Sequence, residues 1–178
     1  MLAALLLVQA AIAELPPSVA DVANPAAAAP CEGKLYQAFD FWLGAWNVFD
    51  RETGEPQGSS RIEKINDGCA LRENWTSRKG VPGGSLNAPD LITGRWHQYW
   101  IDSVGQRVDL EGGLFSGTMV LAGPWQRPGT VGQNQILRIT YSRLDGDSVR
   151  QLAEVSADGG LTWETSSDHL YLREARED

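Results

Sequence analysis

The sequence predicts an all-β domain, a barrel or a sandwich, led in by one short helix. Three observations carry that reading. Short runs of alternating apolar and polar residues recur along the chain, the period-2 pattern of half-buried strands. Clusters of Asn, Asp and Gly separate these runs, as turns do. Beyond the leading segment, no stretch of ten or more residues carries a helical stripe.

The leading element is the aromatic stretch Phe39–Val48. Leu35, Phe39 and Trp42 stand at i, i+4 and i+7, the spacing of one helical face. From Trp46 onward, Trp46 and Val48 alternate with Asn47 and Phe49, which is strand periodicity. Gly44 sits where the period changes, as a glycine ending a helix often does. A helical turn is therefore expected to plug one end of a β-structure and to run into its first strand. Further strands are expected at Ser60–Ile65, Ala70–Ser77, Arg95–Ile101, Arg107–Glu111, Thr118–Leu121, Ile136–Arg143, Val149–Val155 and His169–Arg173. The Gly/Pro-rich stretches Lys79–Pro89 and Ala122–Gln133 read as the long loops.

Residues 1–30 stand apart from this pattern. Leu2–Ala13 is apolar except for Gln9, and Ala11-Ile12-Ala13 fits a small-x-small cleavage site, so residues 1–13 read as a signal peptide. Residues 14–30 read as an Ala/Pro-rich flexible leader. The expected mature domain, residues 31–178, is a single domain of 148 residues, ample for a core. Without Glu14 and Asp21 it holds 21 acids against 15 bases, and this net negative charge argues against nucleic acid and anionic membranes as partners. An exported protein, periplasmic or secreted and free of the membrane once the signal is removed, is the expectation. Cys31 and Cys69 form an even pair, and in an exported chain that favours a disulfide over a metal site.

Gly44-Ala45-Trp46 after a plug helix is similar to the G-x-W start of lipocalin-like (calycin) barrels. Phe39–Trp46, Gly68-Cys69-Ala70 with Glu73-x-Trp75, and Trp96-His97-Gln98-x-Trp100-x-Asp102 together resemble a family of uncharacterised exported bacterial proteins. The resemblance covers essentially all of the mature domain. It implies a single lipocalin-like antiparallel up-and-down β-barrel with a short N-terminal plug helix and a small interior cavity, and it brings no established reaction.

Candidate site residues come from strand alternation. Trp96, Gln98, Trp100 and Asp102 share one face of their strand, and flat aromatics flanking an amide suit a planar or sugar-like ligand. The alternative is that Trp96 and Trp100 simply fill a barrel. Glu73 alternates with Leu71 and Trp75, and Glu154 with Leu152. Were both acids to face one cavity, with Arg138 or Arg150 as partners, a Glu73–Glu154 pair could do acid/base work. The plainer reading, which the sequence favours, is that one or both strands face the other way and the acids are solvated. Ser156–Trp163 matches the S-x-D-x-G-x-T-W Asp-box of sialidases, and is read as a structural hairpin because the box occurs once in a chain too short for a propeller. His97 and His169 are the only histidines and have no H-x-x-x-H or H-x-H spacing, so no metal and no cofactor is expected.

Two functions of different class follow. One is a binding protein for a small, partly aromatic or apolar molecule, with Trp75, Gln98, Trp100 and Arg138 as contacts. The other is a small isomerase or hydrolase using Glu73 and Glu154. A structural protein with a filled barrel is the third option. The oligomeric state is left open.

Overall fold

A computed structural model describes residues 31–125 and 135–175. The expected signal peptide and leader, and residues 126–133 of the second expected loop, lie outside the described residues. Ten antiparallel strands form one closed barrel, each hydrogen-bonded to its neighbours in sequence, with the last closing on the first. They are β1 (Gly44–Asp50), β2 (Pro56–Ile65), β3 (Ala70–Ser77), β4 (Gly83–Pro89), β5 (Trp96–Asp102), β6 (Arg107–Phe115), β7 (Thr118–Trp125), β8 (Gln135–Leu144), β9 (Ser148–Ser156) and β10 (Glu164–Arg173). No helix among the described residues is long and apolar enough to cross a membrane.

The leading helix is broken into α1 (Lys34–Gln37) and a 3-10 turn at Asp40–Trp42. Phe39 and Trp42 are fully buried and Leu35 packs partly against them, so the predicted face does plug one end of the barrel. Phe39 stacks on Trp42 with ring centroids 4.9 Å apart, and meets Trp96 and Tyr141 edge-on. The barrel in turn satisfies backbone of the plug: Trp46 Nε1 donates to the Trp42 carbonyl at 2.9 Å, and Trp96 Nε1 to that of Leu35 at 3.1 Å. The Cys31–Cys69 disulfide ties the segment leading into α1 to the β2–β3 turn. Gly44 opens β1 at φ +131, and a Cβ there would lie 1.8 Å from Arg173 Nη1. Glycine thus leaves room for a guanidinium that binds the Leu43 carbonyl and covers the Trp46 ring at 4.0 Å.

The structure departs from the expected loop at Lys79–Pro89. The residues of this stretch from Gly83 onward form β4, paired with β5 along its whole length and with β3 over Gly83–Asn87. Gly-Gly-Ser-Leu-Asn-Ala-Pro reads as turn chemistry, yet Ser85 and Asn87 are the buried positions and Leu86 the exposed one. The usual polarity of a strand is inverted here. Likewise, residues 122–125 of the other expected loop belong to β7.

The Asp-box is the β9–β10 turn. Asp158 Oδ1 accepts the backbone N–H groups of Leu161 and Thr162 and the Ser156 hydroxyl, and Oδ2 accepts the Thr162 hydroxyl. These donors hold the Asp158 carboxyl far below the usual carboxylate range.

Candidate functional site

Three strands that carry inward polar residues lie side by side. Ser60 from β2, Glu73 from β3, and Ser85 and Asn87 from β4 all face the interior and are buried. The Ser60 hydroxyl donates to Glu73 Oε1 and the Ser85 hydroxyl to Oε2, each at 2.9 Å. Asn87 Nδ2 donates to Ser85 Oγ at 2.9 Å, and Gln98 Nε2 donates to Asn87 Oδ1 at 2.8 Å. Across the barrel Gln98 Nε2 also reaches the Tyr141 hydroxyl at 3.0 Å, which Gln151 Nε2 approaches at 3.0 Å. Gln151 Oε1 then accepts the Tyr171 hydroxyl and lies 3.3 Å from His169 Nδ1. One chain of polar groups therefore crosses the interior, and along Gln98–Asn87–Ser85 every donor points towards Glu73.

Above this polar floor lies a partly open cavity of about 270 Å³. Trp75, Trp100, Trp125, Leu137 and Ile139 form its apolar walls, with Val108 and Ala153; Glu73, Gln98, Tyr141, Gln151, His169 and Tyr171 supply the polar part. The walls stand towards the strand ends remote from the plug. Glycines make space for the indoles. A Cβ on Gly83 would come within 2.6 Å of the Trp100 ring, and one on Gly58 within 2.9 Å of the Trp75 ring. On β10 a register shift between Thr165 and Ser167 lets the consecutive residues Ser166 and Ser167 both line the cavity.

The electrostatics follow from burial. Glu73 is 4% exposed, and desolvation raises its carboxyl from 4.5 to about 7, against the pull of the two serine hydroxyls. The Tyr141 and Tyr171 hydroxyls are pushed up by burial and then by the negative charge of Glu73. Burial pushes the His169 imidazole down, which favours its neutral form. No lysine or arginine among the described residues lines the cavity.

The expected site residues divide. Trp75, Gln98, Trp100 and Glu73 come together at the cavity. Trp96 does not line it; it is buried in the plug cluster. Glu154 and Arg138 are not there: the strand of Glu154 faces the other way, as the plainer reading had it, whereas Glu73 is buried inside and not solvated, and the placing of Arg138 among ligand contacts is corrected. On β8 and β9, Leu137, Ile139, Gln151 and Ala153 face inward, so Arg138, between the first two, and Glu154, next after Ala153, face outward. They pair with each other on the outside at 2.8 Å, and the Arg138 guanidinium lies 3.9 Å above the Trp163 ring. Arg150 likewise pairs with Asp168. Sequence reasoning missed Ser60, Ser85, Asn87, Tyr141, Gln151, His169 and Tyr171. Among the described residues no group of three His, Cys, Asp or Glu side chains is placed to hold a metal ion.

No protein-family model matches the chain. A search of curated proteins finds no significant match.

Proposed function

We propose that this is an exported binding protein, a lipocalin-like carrier that holds a small, partly aromatic molecule inside the barrel. The single observation that carries the reading is the cavity beside Trp100, open between three indoles and floored by hydrogen-bonding side chains. Its volume of about 270 Å³ lies just below the usual range of ligand pockets, roughly 300 to 1,000 Å³, which limits the ligand to a small molecule. A closed barrel gives a rigid, pre-formed pocket, so little ordering opposes binding. The Cys31–Cys69 disulfide and the apolar start of the chain support export. The resemblance to exported lipocalin-like barrels supports the same reading.

An acid/base enzyme built on two interior carboxylates lacks its second acid, since Glu154 is spent on Arg138 outside. A filled structural barrel does not account for the space beside Trp100.

The test is native mass spectrometry of protein purified from its own host, together with a broad thermal-shift screen. A co-purified mass or a stabilising compound whose effect disappears in Ala153→Leu, which narrows the cavity, supports carriage. An empty protein with no hit in the screen, or a hit indifferent to Ala153→Leu, contradicts it.

A further inference from the structure

We propose that the ligand is a small organic cation, a protonated amine on an aromatic or apolar body, with Glu73 as the counter-charge. This rests on the carriage reading above and names the chemistry of its ligand.

The argument starts from what Glu73 lacks. A carboxylate removed from water is costly unless a cation or a dense set of hydrogen bonds replaces its hydration. Elsewhere in this barrel the arginine-paired acids show the ordinary solution: Glu154 with Arg138, Asp168 with Arg150, Asp147 with Arg173. Glu73 is the exception. It is the most buried acid among these, it lines the cavity, and among the described residues its side-chain hydrogen bonds come from two serine hydroxyls. Its neighbours are arranged to favour the charge, since each oxygen receives one hydroxyl and the Gln98–Asn87–Ser85 donors point the same way. Donors alone do not make a cation. The space left in front of Glu73 is the space a ligand fills.

The walls point to the same class of ligand. Trp75, Trp100 and Trp125 line the cavity, and tryptophan is the strongest aromatic partner for a cation. No lysine or arginine among the described lining residues competes for the acid, and His169 lies against Gln151 Oε1, with burial lowering its imidazole. An anion entering this cavity would meet Glu73 with nothing to offset the repulsion. Where Glu73 is ionised, a neutral ligand would leave its charge unpaired. A cation answers both, with the ammonium at Glu73 and Gln98 and the apolar body among the indoles.

The experiment is calorimetric titration of the full chain at about pH 8, where Glu73 is ionised, with three probes of one shape: 2-phenylethylamine, 2-phenylethanol and 3-phenylpropionate. The amine is expected to bind at least about tenfold tighter than the alcohol, and the carboxylate not measurably. In Glu73→Gln the amine should fall to the level of the alcohol, whose own affinity stays within about threefold. The wild-type series stands by itself if the variant does not fold. Equal or tighter binding of the alcohol or the carboxylate overturns the charge assignment and leaves carriage intact. An amine preference that survives Glu73→Gln overturns the role of Glu73. Binding of none of the three overturns the inference, and only an empty broad screen as well brings down carriage.

Discussion

Replacing Glu73 by Gln should stabilise the protein at neutral pH, although Glu73 is hydrogen-bonded on both oxygens. The magnitude follows from the two titrations. Burial raises the carboxyl from 4.5 to about 7. Below the lower value it is protonated in the folded and unfolded chains alike, and its contribution is fully present. Between the two values the unfolded chain has released the proton and the folded chain still holds it, so stability falls as pH rises. Above about pH 7 the loss is complete, at about 3 kcal/mol. Gln carries no charge at any pH, and offers Ser60 and Ser85 one acceptor and one donor in the same places. Urea unfolding with the disulfide intact, followed by tryptophan fluorescence, measures both proteins across this range, and their difference cancels the titration of every other group. The variant should match the wild type near pH 4.5 and exceed it by about 3 kcal/mol near pH 8. A difference that stays constant with pH, or a variant weaker at pH 8, would refute the account of Glu73. An acid that weakens the fold where it is charged is placed for a ligand rather than for packing.

The remaining predictions concern the plug, the walls, the outer face and the hairpin. Cys31→Ser with Cys69→Ser releases a 38-residue loop, and the chain-entropy model gives a loss of about 4 kcal/mol in urea unfolding; no loss would show that the plug is held by packing alone. Gly83→Ala places a methyl group against the Trp100 ring and the Ile101 carbonyl. It should destabilise by about 1–3 kcal/mol and weaken binding of any cavity ligand, as calorimetry would show. Arg138→Ala removes the ion pair with Glu154 and the contact with Trp163, at about 1 kcal/mol or less each, and should leave ligand affinity unchanged; a lost affinity would place Arg138 at the site after all. Asp158→Ala should accelerate amide exchange at Leu161 and Thr162, whose N–H groups it holds. In the wild type that protection persists until the pH falls well below the usual carboxylate range, because the carboxyl is depressed.

Much of the barrel was legible because period-2 alternation is local. β3, β5, β8 and β9 each show two faces in the sequence, and Asp-Gly turns mark where β8 and β9 end. Alternation shows that there are two faces, though not which is inside. On β5 it grouped Gln98 correctly with Trp96 and Trp100, whereas on β8 and β9 it could not reveal that Arg138 and Glu154 look outward. β4 was hidden for a related reason. Its inward Ser85 and Asn87 are polar and its outward Leu86 is 54% exposed, so a strand built to serve Glu73 resembles a loop. Tyr141, Gln151 and Tyr171 join the site through a register among β8, β9 and β10 that long-range pairing fixes. The bulge that turns both Ser166 and Ser167 inward leaves no mark in composition.

The most direct test of the central claim is an NMR titration that follows the indole N–H signals of the seven tryptophans as a screened ligand or 2-phenylethylamine is added. Saturable shifts at Trp75, Trp100 and Trp125, with Trp42 in the plug and Trp163 outside unmoved, are the predicted result. Shifts confined to Trp163, or no saturable shift with any compound tried, would contradict a ligand held inside the barrel.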